Sequence, residues 1–124
     1  MKPKVAVSTG EGLNTYMEMQ YAFELAGAEA ERIHALDLLS GEVNLQDYQI
    51  LVIPGGFLHG DDIASARVFA TQTRYKMRDE LLEFTARDKL ILGISNGFQT
   101  LVKNGLLPYA DFNQVATLTN NEIQ

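Results

Sequence analysis

The sequence contains no cysteine and only two histidines among its 124 residues. No disulfide can form, and any nucleophile must be something other than a thiol. Long hydrophobic runs are also missing, since no apolar segment approaches the roughly 20 residues that span a bilayer. The apolar run near the N-terminus is too brief for the core of a signal peptide. We therefore expect a cytoplasmic protein.

Basic charge is scarce as well. Ten Lys and Arg residues face sixteen Asp and Glu residues, which gives a formal net charge of −6. Without a basic stripe to neutralise phosphates, nucleic acid is not an expected partner. Hydrophobic residues make up 46% of the chain and charged residues 21%, a globular composition. The length suits one compact domain over residues 1–124.

Apolar runs predict the strands. None of the three strongest runs alternates with polar residues, as is typical of strands buried on both faces of a parallel sheet. These runs are Val5-Ala6-Val7, residues 50–53 and residues 90–92. Residues 31–36 and 115–118 are weaker candidates. We thus expect a largely parallel sheet.

Helical spacing separates these runs. Met19, Ala22, Phe23 and Ala26 fall on one helical face, which Thr15 and Glu18 would begin as a capping box and Gly27 would end. A second helix is predicted over residues 75–87, with Met77, Leu81 and Phe84 inward, and a third over residues 97–103. This order predicts a flavodoxin-like, three-layer α/β/α sandwich. Because no closing helix follows residue 108, the domain looks truncated at its C-terminus.

The segment Gly93-Ile94-Ser95-Asn96-Gly97 follows a predicted strand and precedes a predicted helix. Gly-x-Ser-x-Gly in that context is the form of a nucleophile elbow. An α/β-hydrolase would need a histidine after the serine, but none of the 29 later residues is histidine. A serine without a base is a weak nucleophile, so an ordinary esterase is not expected. The alternative is that Ser95 is a small turn residue that caps the helix.

A second glycine-rich turn, Pro54-Gly55-Gly56-Phe57, directly follows the strand predicted over residues 50–53. Glycines there let backbone N–H groups approach a ligand, as an oxyanion hole requires, although a plain tight turn would have the same composition. An elbow beside exposed amides is the arrangement that acyl transfer needs. The two strand ends together favour an acyl-transfer site.

Other motifs are weaker. Gly10 and Gly12 begin a partial dinucleotide fingerprint whose third glycine is replaced by Thr15. A nucleotide or flavin carrier is therefore a remote alternative. Neither glycine-rich loop has the Lys-Ser/Thr of a P-loop, and His59 has no second histidine at ligand spacing. We expect no metal and no cofactor in this chain.

Four segments, residues 21–31, 51–62, 90–108 and 116–122, together resemble the class I glutamine amidotransferases. More narrowly, they are similar to the glutaminase subunit or domain of formylglycinamide ribonucleotide amidotransferase (phosphoribosylformylglycinamidine synthase) of purine biosynthesis. The residues that carry the resemblance are the Pro-Gly-Gly-Phe turn, the Gly-Ile-x-Asn-Gly-Phe-Gln elbow and Gly-Leu-Leu-Pro. The resemblance implies hydrolysis of glutamine by a cysteine thiolate at the elbow, which releases ammonia.

Transferred residue by residue, the resemblance implies that Ser95 occupies the position of that catalytic cysteine. The backbone N–H groups of Gly56 and Asn96 would form the oxyanion hole, and Phe57 and Gln99 would bind the substrate glutamine. The family's activating His and Glu lie in a later segment that has no counterpart here. The chain is therefore expected to be inactive or very weak alone.

The resemblance also implies partners. Ammonia would pass to a synthetase subunit that uses ATP and Mg²⁺, and a small third subunit would complete the complex. A non-catalytic binding or assembly module of the same fold is the alternative function.

Overall fold

The computed structural model describes residues 2–9, 15–55 and 77–107, together with residues 111, 113, 114 and 116. Within these residues, four strands form one parallel sheet in the order β2-β1-β3-β4. Their bounds are β1 Lys4–Thr9, β2 Glu29–His34, β3 Ile50–Ile53 and β4 Leu90–Gly93. This order is that of a flavodoxin-like sheet, so the predicted fold class is confirmed.

Helices connect the strands on both faces of the sheet. They are α1 Tyr16–Leu25, α2 Ala35–Ser40, α3 over residues 77–86 and α4 Asn96–Asn104, with a short 3-10 turn at Leu45–Asp47. The predicted strand over residues 31–36 was placed too late, because it ends at His34 and α2 begins at the next residue. The strand predicted over residues 115–118 falls almost entirely outside the described residues.

The predicted ends of α1 are partly right. Gly27 follows the helix with a φ of 96°, the left-handed conformation that ends helices at glycine. The predicted capping box is wrong, because the side chain of Thr15 makes no capping hydrogen bond. The inward face is also shifted: Tyr16, Met19 and Phe23 pack on the sheet, whereas Ala22 and Ala26, which were predicted to face inward, are exposed.

Two apolar clusters flank the sheet. One joins the inward side chains of α3 and α4 to the sheet, and Met77, Leu81 and Phe84 belong to it with at most 5% of each exposed. Burying a side chain of that size contributes about 1.5–3 kcal/mol relative to leaving it exposed. The other cluster lies under α1 and contains Val5, Val7, Ala30 and Val52. The helical spacing that predicted the inward face of α3 is therefore confirmed.

Strand β4 is an exception to the prediction that the strands are buried on both faces. Leu90 and Leu92 are 64% and 40% exposed, and they pair in register with Ile50 and Val52. They therefore lie on the α1 side of the sheet. Among the described elements, α1 covers β1 and β2 on this side and leaves β4 open, because β4 is the edge strand farthest from β2.

A buried phenol connects the sheet to the 3-10 turn. Tyr48 is 5% exposed and donates a hydrogen bond of 2.7 Å to Glu31 Oε2. Burial, together with this hydrogen bond and the negative charge of Glu31, raises the pKa of Tyr48 to about 12.

Among the described residues, no helix combines the length and hydropathy that a membrane span requires.

Candidate active site

Ser95 lies at the junction between β4 and α4, where it occupies the N-cap position of the helix. Its backbone angles are φ 57° and ψ −115°, a region that a residue with a side chain rarely adopts. Such strained conformations cost about 1–3 kcal/mol and are concentrated at functional sites. The predicted elbow is thus a sharp, strained turn, as a nucleophile elbow requires.

Glycine is needed on both sides of Ser95 because the strand and the helix approach each other closely. A Cβ added to Gly97 would lie 2.0 Å from the carbonyl oxygen of Ile53, and one added to Gly93 would lie 2.7 Å from the backbone of Gly97. No side chain fits such gaps. The two glycines of the motif therefore let α4 begin directly against the end of β3.

The Ser95 side chain is exposed and faces the second glycine-rich strand end. A Cβ added to Gly55 would lie 3.0 Å from Ser95 Cβ and 3.6 Å from Ser95 Oγ, so the hydroxymethyl group lies against this backbone. Its hydroxyl makes no capping hydrogen bond to α4. The alternative in which Ser95 serves as an ordinary capping side chain is therefore contradicted by the geometry.

Thr15 fixes the position of the Gly55 backbone, which faces Ser95 across the site. Its hydroxyl donates a 2.8 Å hydrogen bond to the carbonyl oxygen of Gly55, 40 residues away in the chain. The amide of Ile94 donates to the carbonyl of Ile53 at 3.1 Å and extends the pairing of β3 with β4 up to the elbow. The two strand ends are thereby fixed next to each other. Capping residues look alike in sequence whatever their side chains bind, so this role of Thr15 was not foreseen.

The first turn of α4 supplies backbone donors beside Ser95. The amides of Gly97 and Gln99 donate to the carbonyls of Ile94 and Ser95, at 2.9 and 3.0 Å. The amide of Asn96 donates to no backbone carbonyl of the described residues. With the positive end of the helix dipole, this amide can stabilise negative charge on an atom bound at Ser95. Gly56 and Phe57, the other residues predicted to form the site, lie outside the described residues.

Gln99 lies one helical turn beyond Ser95 and is half-buried. Its side-chain oxygen Oε1 is buried and has no hydrogen-bond partner among the residues that the structure describes. A buried acceptor without a partner costs about 1–3 kcal/mol, which a polar group bound in the site would relieve. This observation suits the predicted contact between Gln99 and a substrate, and that role stays a prediction.

A general base is missing from the part of the site that the structure describes. His34 is exposed at the end of β2, and two strands separate β2 from β4. His59, the remaining histidine, lies outside the described residues. Within the described ranges, no cluster of three potential metal-ligating side chains occurs. The described geometry therefore provides an elbow and an amide donor, without the group that would activate the nucleophile.

Comparison with known proteins identifies relatives of this arrangement. Residues 2–124 match the family described as the CobB/CobQ-like glutamine amidotransferase domain. The phosphoribosylformylglycinamidine synthase subunit PurQ of Methanococcus maripaludis strain C5 is 44% identical over 92% of this chain and 43% of its own length. The protein of the same name from Dehalococcoides mccartyi is 43% identical over 97% of this chain and 48% of its own length.

A solved structure supports the same likeness. The structure of PurLQS from Thermotoga maritima contains a chain that is 34% identical, with a TM-score of 0.71, over 89% of this chain and 48% of that one. The present chain therefore spans less than half the length of each of these three relatives.

Proposed function

Because this chain belongs to the CobB/CobQ-like glutamine amidotransferase domain family, we propose that it is a glutaminase component of phosphoribosylformylglycinamidine synthase. It would contribute the nucleophile position and part of the glutamine pocket. The observation that carries the proposal is the strained Ser95 elbow, whose side chain makes no capping bond and lies against the Gly55 backbone. The PurQ subunits named above support the assignment to purine biosynthesis.

In the proposed reaction, the nucleophile at position 95 attacks the carboxamide carbon of glutamine. The carbon–nitrogen bond then breaks, ammonia leaves with the proton of the nucleophile, and water hydrolyses the resulting glutamyl ester or thioester. The amide of Asn96 and the N-terminus of α4 would stabilise the oxyanion, together with the predicted amide of Gly56. Gln99 would hydrogen-bond the substrate through its buried oxygen.

A serine at position 95 would make the hydrolysis of glutamine slow. Its hydroxyl is far harder to ionise than a cysteine thiol of pKa about 8.5, and the described residues place no base beside it. The resemblance assigns the activating His and Glu to a segment beyond those matched here. We therefore propose that this chain binds glutamine and, by itself, hydrolyses it very slowly or not at all.

The ammonia would be used by a synthetase subunit, to which the ATP and Mg²⁺ chemistry belongs. A small third subunit is proposed for the same complex, and the cytoplasm is proposed as its location because both glutamine and ATP are substrates. The PurLQS structure from Thermotoga maritima supports assembly with partners, since its chain matches this one.

The test is to make position 95 reactive. We expect Ser95→Cys to be alkylated rapidly by a chloroketone analogue of glutamine, because a helix N-terminus lowers the pKa of a thiol. Free glutamine should protect it. Ser40→Cys, which places a thiol at an exposed position on α2, is the matched control and should react slowly and without protection. If glutamine protects neither variant, the proposed glutamine site is wrong.

The serine itself favours a second candidate, a non-catalytic binding or assembly module. It predicts that glutamine gives no detectable heat in calorimetry and protects no thiol at position 95. It also predicts that the synthetase subunit binds a Ser95→Ala variant as tightly as the original chain. Calorimetry with glutamine therefore separates the two functions.

A further inference from the structure

A cavity of about 380 Å³ lies at the carboxyl ends of β1 and β2, away from Ser95. Among the described residues, Thr9, Tyr16, Arg32 and His34 line it. Thr9 and His34 pair in register across β1 and β2, and Tyr16 is the first residue of α1. The cavity therefore lies between the sheet and the start of the helix.

The cavity is basic although the chain is acidic overall. Arg32 is exposed, and its guanidinium lies 5.8 Å from the centre of the Tyr16 ring. Among the described residues, no carboxylate lies within ion-pairing distance of Arg32. The aromatic ring positions the guanidinium and leaves its N–H groups available to an anion. The net charge of −6 makes this local positive site unusual for the chain.

An apolar stripe on α1 begins beside this cavity. Met17, Tyr21 and Leu25 are 60%, 63% and 70% exposed, and their spacing of four residues places them in one row about 12 Å long. Gln20 Nε2 donates to the carbonyl oxygen of Ala30 at 3.1 Å, so this flank of α1 lies over β2. Met17 and Tyr21 come next around the helix from Gln20 and continue that flank outward.

We propose that the cavity and the stripe form one docking surface for an acidic, partly apolar segment of a partner protein. A carboxylate of the partner would enter the cavity and pair with Arg32, and its apolar side chains would cover Met17, Tyr21 and Leu25. Single exposed apolar residues are ordinary, but a continuous row beside a guanidinium without a carboxylate partner among the described residues is typical of an interface.

The position of the surface identifies the partner, a step that rests on the proposed function. The cavity and Ser95 lie at the same edge of the parallel sheet, where the strands end. Strands β2 and β4 are three inter-strand spacings apart, roughly 14 Å. A partner seated on the docking surface would reach over the elbow, so ammonia released there would travel a short path. We therefore assign the surface to the synthetase subunit.

The experiment measures the affinity of the purified synthetase subunit from the same organism for variants of this chain. Arg32→Glu and Tyr21→Ser should each weaken binding by about tenfold or more. Arg87→Glu makes the same substitution at an exposed residue just after α3, on the face of the sheet opposite α1, and should change the affinity less than about twofold. Added salt should weaken the binding of the original chain to the synthetase subunit more than it weakens the binding of Arg32→Glu.

The docking assignment is overturned if Arg32→Glu and Tyr21→Ser bind as tightly as Arg87→Glu, or if the original chain does not bind the subunit. Hydrogen exchange gives a second readout: amides of residues 16–25 and 29–34 should slow in the complex. Thermal unfolding establishes that each variant is folded, and Tyr21→Ser removes only an exposed side chain. Glutamine protection of Ser95→Cys, measured beside each surface variant, reports separately on the proposed function.

Discussion

Replacing Ser95 by glycine should stabilise the protein, although it removes the central side chain of the proposed site. The residue has a φ of 57° and a ψ of −115°, and such strain costs about 1–3 kcal/mol in a residue with a side chain. Glycine relieves that strain but gains about 0.5–1 kcal/mol of chain freedom in the unfolded state. The net expectation is about 1 kcal/mol of added stability, which corresponds to roughly 4 °C in Tm.

Alanine at the same position separates strain from hydrogen bonding. Ser95→Ala keeps the Cβ and the strain and loses a hydroxyl that makes no capping bond, so its stability should stay within about 0.5 kcal/mol of the original. An ordinary N-cap serine would behave differently, because alanine there costs about 0.5–2 kcal/mol and glycine a few tenths. The sign of the Ser95→Gly effect therefore distinguishes an elbow from a cap.

The assay is equilibrium unfolding in urea, followed by circular dichroism. Asp88→Gly is the matched control, because Asp88 also has a positive φ, 61°, and lies just after α3 at the opposite edge of the sheet. Asp88→Gly should raise the free energy of unfolding by about 1 kcal/mol, because glycine relieves the strain of a positive φ there as well. If Asp88→Gly is stabilised while Ser95→Gly is destabilised, the strain at the elbow has been misread and the functional argument loses its geometric basis.

Three further outcomes are expected. Gly97→Ala should lower the free energy of unfolding by about 1–3 kcal/mol, because its Cβ would lie 2.0 Å from the carbonyl oxygen of Ile53; unchanged urea unfolding would contradict that contact. Thr15→Val should cost about 1 kcal/mol and weaken glutamine protection at position 95 by freeing the Gly55 carbonyl, whereas Thr15→Ser should retain both. Tyr48 should titrate in ultraviolet absorbance with a pKa of about 12. Because that folded-state pKa lies above the unfolded value of about 10, the stability it contributes is complete below pH 10 and is lost as the pH rises through 12; a Tyr48 pKa near the unfolded value of about 10 would disprove the burial argument.

The elbow of the candidate site was predictable because its signals are local. Two glycines flanking Ser95 after an apolar run are the form of an elbow, and the close approach of Gly97 to Ile53 explains why glycine is needed there. The pairing of this elbow with the Pro54-Gly55 turn was also expected, because parallel strands end at one edge of a sheet. The bond from Thr15 to Gly55 was not, since a capping threonine and a loop-fixing threonine have the same sequence signature.

The faces of two elements were also misjudged, for the same physical reason. Strand β4 has an uninterrupted apolar run, but its place at the end of the sheet that the described strands form leaves Leu90 and Leu92 exposed. On α1, the spacing predicted that Ala22 and Ala26 face inward together with Met19 and Phe23. In the structure Met19 and Phe23 pack on the sheet with Tyr16, and the two alanines are exposed. Periodicity identifies an amphipathic element, and only its neighbours determine which face is covered.

The sequence by itself determined the order of the four described strands, the inward face of α3 and the location of the elbow, because each depends on residues a few positions apart. It did not predict α2 or the 3-10 turn, which lie between β2 and β3. Only the tertiary structure decided three features: the backbone strain at Ser95, the hydrogen bond from Thr15 to the Gly55 carbonyl beside it, and the row of exposed apolar side chains next to Arg32. Those features arise where segments distant in the chain are packed together, and no local pattern encodes which atoms then meet.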